Sequence, residues 1–369
     1  MKVKKAIAIL LMGSMLFSTA GCGKANETKG SEADKEVSKS GNFEDQGYKI
    51  AYILGVQSSD LFVLQGKAAQ EEAESLGMSV DVFFSDGDTT KLQNLFQQAV
   101  NQEYDAIFCH GAQETFAAEM VQPAIDKNIP VIAFEYKCRD ENGNVLPGVT
   151  EMMQDDAQMS TALCEYVANE LYPDKETVNI LKLYADVGFD PFIRRSAGLD
   201  EYVDSGKFNI IETIGPSVMD AVKDSVMTNV SAILPVIGED IDVIWSCYDA
   251  YADGAYLALK DAGMSIPIVT VDISNEDIQY MLEDGSCFMA CASPAPQTIG
   301  QQAVRILAMR LHGDEVEDNY MVSASLVRQS DLFEGANVTN LGEMIEEYGV
   351  CDDHLPQWMV ECKARTAGN

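Results

Sequence analysis

Apolar residues along the chain fall into short blocks of strand length, each followed by a longer stretch with helical spacing. Tyr48–Val56 reads as a strand, and Leu61–Leu76 carries apolar residues at helical intervals up to Gly77. Met78–Phe84, Asp105–His110 and Pro130–Glu135 read as further strands, with helices over Thr89–Gln102 and Thr115–Lys127. The pattern pauses at Asn142–Thr150 and then restarts. Strands are expected at Val178–Tyr184, Asn209–Ile214, Asp242–Cys247 and Pro267–Val271, separated by helices near Asp155–Leu171, Phe192–Ser205, Asp220–Pro235 and Asp249–Ala262. Strands this rich in Val, Ile and Phe, each leading into a helix, belong in parallel sheets covered on both faces. Two such runs in succession predict an α/β chain of two doubly wound lobes.

The amino terminus breaks this pattern. Met1–Lys5 holds three lysines, Ala6–Phe17 is almost wholly apolar, and Ser18-Thr19-Ala20-Gly21-Cys22 supplies small residues and a cysteine. A basic head, a short apolar run and small residues make a secretory signal over residues 1–21, too short to span about 30 Å of hydrocarbon. Ala20-Gly21-Cys22 resembles the bacterial lipobox, which implies acylation of Cys22 and a lipid anchor on the outer face of the cell membrane. The alternative is an ordinary signal followed by a chance cysteine. Residues 22–47 are rich in Lys, Glu, Ser, Asn and Gly and read as a flexible tether.

Composition narrows the function. There are 59 acidic against 25 basic residues, a net charge of −34, and the signal would remove three lysines and no acid. Such a balance argues against nucleic acid as a partner, because phosphate binding relies on Lys and Arg. The nine cysteines contain no CxxC pair, so no metal site or other cofactor is read. A Cys351–Cys362 pair stays open beside unpaired thiols. Cys109 and His110 are adjacent on a strand and point to opposite faces, so they form no nucleophile–base dyad. The GxSxG, HExxH and Walker A patterns are absent, and the chain is not expected to be an enzyme.

In open α/β sheets, ligands bind beyond the carboxyl ends of the strands. That rule selects Gly55–Phe62, Glu135–Tyr136, Asp186–Arg195, Tyr248–Asp249 and Asp272–Asn275. Their aromatics, carboxylates and amides suit a small hydroxylated molecule. Blander roles compete at several positions. Asp249 can cap the helix that follows it, Phe62 can pack in the core, and Arg195 can make a structural ion pair.

At these residues the sequence resembles the type I periplasmic-binding-protein family, in its ribose-binding-like branch. The stretches IAYILGVQSSDLFVLQGKAAQEEAESLG, FFSDGDTTKLQNLFQQAVNQEYDAIF, IPVIAFE, VIWSCYDAYADGAYLALKDAG, IPIVTVD and PQTIGQQAVRILAMRLHGDEV carry the resemblance, in that order. It implies two lobes joined by a three-segment hinge, with crossings near Thr150–Asp155, Ala292–Ala295 and Val322–Leu326. The first lobe would take residues 48–150 and 295–323, the second 151–294 and 324–330, leaving 331–369 as an extension. Within that extension Leu341–Tyr348 reads as a short helix, and Leu355–Met359 as an apolar patch packing on a lobe.

By position, the resemblance implies ligand contacts from Ser59, Phe62, Glu135, Tyr136, Arg195, Tyr248, Asp249 and Asp272. Tyr136 and Ile193 stand where ribose binders have arginines, and Tyr248 replaces an Asn. The implied function is capture of a sugar-like solute for an ABC permease by a monomeric, membrane-anchored lipoprotein. A nucleoside or cationic ligand, and a role feeding a membrane sensor, remain the alternatives. The effector domain of a transcription regulator does not fit, since an export signal stands where its helix-turn-helix would be.

Overall fold

A computed structural model describes residues 41–57, 60–187, 190–345, 348–349 and 351–368. Cys22, the signal, most of the tether and Ser59 lie outside the described residues. The first lobe is built from β1 (Lys49–Leu54), α1 (Asp60–Ser75), β2 (Ser79–Phe84), α2 (Thr89–Asn101), β3 (Ala106–His110), α3 (Glu114–Ile125), β4 (Val131–Phe134) and β5 (Val149–Gln154). The second contains α4 (Asp156–Tyr166), β6 (Val178–Leu183), α5 (Asp190–Asp204), β7 (Phe208–Ile214), α6 (Val222–Ile237) and β8 (Val243–Ser246). It continues with α7 (Asp249–Ala262), β9 (Ile268–Val271), α8 (Asn275–Leu282) and β10 (Phe288–Ser293). The chain then returns to the first lobe through α9 (Pro296–His312) and β11 (Asn319–Val322), and crosses back at β12 (Ser325–Arg328).

Two six-stranded sheets result, in the orders β11-β5-β4-β3-β1-β2 and β12-β10-β9-β8-β6-β7. All neighbouring strands run parallel except β12, which is antiparallel to β10. The polypeptide passes between lobes after β5, after β10 and between β11 and β12. These are the two doubly wound lobes with three crossings that the alternating pattern and the family resemblance together implied. In each sheet the winding direction reverses beside the first strand, at β1/β3 and at β6/β8, and such switch points open a crevice at the strand ends.

Apolar burial explains why each unit forms. Ile50, Tyr52 and Leu54 of β1 face one layer with Ile299, Val304 and Leu307 of α9, while Ala51 and Ile53 face the other with Phe96 of α2 and Val121 of α3. That period-2 split is what a sheet covered on both sides demands. α9 lies so close to α1 that a side chain on Gly300 would come within 2.3 Å of the Gln65 carbonyl. Glycine at that position is a packing requirement.

Several elements departed from the pattern reading, which assigned nothing to α8, β10, α9, β11 or β12. β5 went unassigned because Thr150, Glu151 and Gln154 interrupt its apolar character, yet all six of its residues are buried. The Glu151 carboxylate is answered there by the Cys138 amide at 2.7 Å and by Arg139 at 2.7 and 3.1 Å. The helix expected at Leu341–Tyr348 is a single 3-10 turn, Leu341–Glu343. The apolar patch beginning at Leu355 runs into α10 (Gln357–Ala367).

The terminal segment touches both lobes. Val338, Leu341 and Tyr348 are buried in the core of the second lobe, whereas Met359 and Cys362 of α10 are buried in the first. Between them, Arg305 of α9 donates to the carbonyls of Cys351 and Asp353 at 2.6 and 3.1 Å. Cys351 and Cys362 are both free thiols, as are the other cysteines among the described residues. No helix among the described residues is long and apolar enough to cross a membrane.

Candidate functional site

The carboxyl ends of both sheets face a cleft of about 630 Å³ between the lobes, a volume suited to a small ligand. Val56, Phe62, His110, Phe134 and Glu135 line it from the first lobe, and Gln154 lines it at the first crossing. Phe192, Arg195, Tyr248, Asp249, Asp253 and Asp272 line it from the second, with Asn275 and Glu276 at the start of α8.

Glu135 and Asp272 occupy corresponding places. Each follows the fourth strand of its lobe, and each adopts a left-handed backbone, with φ of 64° and 70°. The Glu135 amide donates to Met152 at 3.0 Å and the Asp272 amide to Ala292 at 2.9 Å, so both ladders run one residue past the strand before the chain turns. Positive φ is uncommon outside glycine and is kept where the surroundings enforce it. Here it stops the strand and turns a carboxylate to the cleft.

Two consecutive arginines of α5 hold these carboxylates. Arg195 Nε donates to Asp156 at 2.7 Å, and its Nη1 and Nη2 donate to Asp272 at 2.7 and 3.2 Å. Nη1 also donates to the Cys247 carbonyl at 2.8 Å, so that four of the five guanidinium N–H groups are engaged. Its planar fork suits this bidentate grip. Arg194 Nη2 reaches Asp156 at 2.6 Å and crosses the cleft to Glu135 at 2.9 Å. Glu135 accepts in addition from the Gln154 amide at 2.6 Å. Lys137 and Asp190 form a second ion pair between lobes at 3.1 Å.

Burial governs the titration of these groups. Burial and the nearby Asp156 push Glu135 up to about 7, against the pull of the Gln154 amide and Arg194. Burial, Asp272 and Asp253 push Asp249 up to about 8. Asp272 is raised by burial, and Arg195 opposes the rise. His110 is held down at about 4 by burial and is neutral at pH 7.

Aromatic rings supply both walls. Phe62 and Phe134 lie 4.7 and 5.6 Å from the His110 ring. Opposite them, Phe192 sits 5.8 Å from Tyr248 and also under the Arg195 guanidinium, 5.8 Å from the ring centre. Flat apolar walls with a few directed polar groups are the usual make-up of a small-molecule site. No group of three or more His, Cys, Asp or Glu side chains suited to a metal ion occurs among the described residues.

Of the eight expected contacts, Phe62, Glu135, Arg195, Tyr248, Asp249 and Asp272 come together on this cleft. Ser59 lies outside the described residues. Tyr136 is a correction: its ring is 3 % exposed and packs in the first lobe with Cys109 and Cys138, away from the cleft lining. The alternatives weighed for Arg195 coexist, since it both lines the cleft and makes buried ion pairs. Among the described residues Asp249 bonds only the adjacent Ala250 amide, at 2.7 Å, and Tyr248 is the residue at the cap position. His110, Asp253 and Val338 were not read from the sequence as cleft residues, and Phe192 was covered only by the segment Asp186–Arg195. Asp253 was accessible to it, because it lies one helical turn from Asp249, on the same face.

A family profile described as a periplasmic binding protein domain matches residues 50–315. The ribose import binding protein of Bacillus subtilis (strain 168) is 22 % identical over 328 residues, covering 89 % of this chain and 100 % of that protein. The crystal structure of a sugar ABC transporter from Yersinia enterocolitica subsp. enterocolitica 8081 superposes with a TM-score of 0.73 at 29 % identity, over 88 % of this chain and 96 % of that one. A 5-methylthioribose transporter solute binding protein from Thermotoga lettingae superposes with a TM-score of 0.72 at 22 % identity, over 86 % and 98 %. At that identity the last comparison bears on the fold.

Proposed function

The chain belongs to the periplasmic binding protein domain family, and from that premise we propose that it is the solute-binding component of an ABC importer, capturing a sugar-like molecule between its lobes. The observation that carries this reading is the cleft itself. It joins the carboxyl ends of both sheets and pairs aromatic walls with the carboxylates Glu135, Asp249 and Asp272. Rings stack on the apolar faces of a sugar, and carboxylate oxygens retain acceptor capacity for its hydroxyls. The relatives named for ribose import and sugar transport support the same class of solute.

Capture works by closure. The arginines fix the carboxylates before ligand arrives, so little ordering remains to oppose binding. The Arg194–Glu135 and Lys137–Asp190 pairs join the lobes around the cleft. A ligand contacting both walls favours the closed form by its differential affinity for it. The protein acts outside the cytoplasm, anchored as a monomer through acylated Cys22, and hands its solute to a membrane permease.

A thermal-shift screen of the purified protein against neutral sugars, polyols and amino sugars tests this reading. A ligand that binds only the native state raises the melting temperature, and small-angle scattering should show a smaller radius of gyration with that ligand. If no sugar-like solute raises the melting temperature, the proposal fails.

A further inference from the structure

Val338, in the terminal segment beyond the two lobes, lines the cleft together with Asn275 and Glu276 at the start of α8 and Pro296 at the start of α9. Its amide donates to Asn275 Oδ1 at 3.1 Å, and its carbonyl accepts from Gln297 Nε2 at 3.4 Å. The loop is thus bonded both to a helix of the second lobe and to the helix that leads back to the first. It closes the cleft at the second crossing, where the chain runs from β10 into α9.

This loop is braced from within. The Asn337 amide donates to Asn340 Oδ1 at 2.8 Å, the Thr339 amide to Asn337 Oδ1 at 3.0 Å, and Asn340 Nδ2 to the Gly335 carbonyl at 3.1 Å. Leu341 then pins it in the core of the second lobe, where its side chain is fully buried. A second observation concerns the back of the loop. Thr339 and Asn340 line a separate cavity of about 270 Å³, with Gln297, Gln301 and Tyr348. Neighbouring residues therefore face two different cavities, and the main chain between them is a partition one strand thick. A loop present only to complete a core would have packed side chains behind it rather than open volume.

We propose that residues 336–341 form the end wall of the binding site, and that Val338 sets how far a solute extends toward the hinge. This rests on the solute-binding reading above and narrows the ligand to a single sugar unit that presents C–H groups at that end. The Val338 side chain has no donor or acceptor, so a hydroxyl pressed against it would lose water without a replacement partner. A second sugar unit would meet a braced main chain, which yields far less than a flexible side chain does.

The first test needs no ligand. Val338→Cys and Leu341→Cys are treated under native conditions with a small charged methanethiosulfonate, and intact mass is compared with the wild type treated alike. Val338→Cys should take up one additional label, and Leu341→Cys, on the core side of the same loop, should take up none until the protein is unfolded. No additional label at position 338, or equal labelling at both positions, overturns the wall.

The second test reads specificity by calorimetry with D-ribose, D-allose, D-glucose, D-galactose and cellobiose. Val338→Phe should weaken the best-bound sugar at least tenfold. Val338→Ala, which shortens the same side chain, should raise the affinity of the next larger probe relative to it. Unchanged affinities and ranking in both variants overturn the inference and leave the sugar reading standing. If no sugar binds the wild type in this series or the wider screen, the sugar reading fails, and the labelling result alone decides whether the segment bounds the cleft.

Discussion

Glu135→Gln should open the protein. In the closed arrangement the Glu135 carboxylate accepts from the Gln154 amide at 2.6 Å and from Arg194 of the opposite lobe at 2.9 Å. Glutamine keeps the shape and one acceptor but loses the charge that faces Arg194. The bare Coulomb attraction across 2.9 Å would be about 6 kcal/mol at an effective dielectric constant of about 20. Most of that is offset by the desolvation of two buried ions, and Arg194 keeps Asp156 as a partner at 2.6 Å. Measured hydrogen bonds to charged groups are worth about 1.5–3 kcal/mol. Taking about 2 kcal/mol, the ratio of closed to open molecules should fall about thirtyfold. Small-angle scattering of the ligand-free protein reports this as a larger radius of gyration, and a fluorophore pair spanning the lobes reports it as lost transfer. If the variant and the wild type give the same scattering profile at pH 8, the ion pair does not latch the lobes.

Further outcomes follow from the same network. Arg195→Met should destabilise the protein by about 3–5 kcal/mol in denaturant titrations, because it strands the buried carboxylates of Asp156 and Asp272. Asp272→Asn should weaken ligand binding about tenfold and also lower stability by about 1.5–3 kcal/mol, through the lost grip on Arg195. Glu135 and Asp249 have folded pKa values raised to about 7 and about 8, so their contribution is fully present at low pH and is lost as pH rises through those values. Ligand-free stability measured from pH 5 to 9 should therefore decline by up to about 1.4 kcal/mol per pH unit per proton released, and Asp249→Asn should flatten the slope. Cys22→Ala should abolish fatty-acid labelling and release the protein from the membrane fraction.

Much of the cleft was legible because strand ends are legible. Glu135 and Asp272 each stand directly after four buried strand residues, apolar except for Thr270, where a carboxylate has no role in the core. The same rule misplaced Tyr136. Once Glu135 turns toward the cleft, the next side chain points back into the lobe, and the apolar ring is buried there. His110 was weighed only as a partner for Cys109. Its place as the last residue of β3, alternating away from the buried Cys109, marked it as a cleft residue. β5 was missed because burial there is sustained by an ion pair with Arg139, and pairing between distant residues leaves no periodic trace. Val338 reaches the cleft from a loop whose sequence has no repeating pattern at all.

The terminal segment described above passes from the second lobe to the first, and a side chain added at Gly349 would come 3.9 Å from the Cβ of Ala295 at one of the crossings. It thus lies alongside the hinge as an additional band. Side-by-side bands bend together about one axis but resist torsion, and resistance to torsion grows with the width of the set. The lobes should consequently meet in a single rotational alignment. The permease would then be presented with two rigid surfaces at a constant mutual orientation whenever the cleft is shut. Removing α10 would leave the bending motion in place while letting the lobes twist, which degrades docking before it degrades capture.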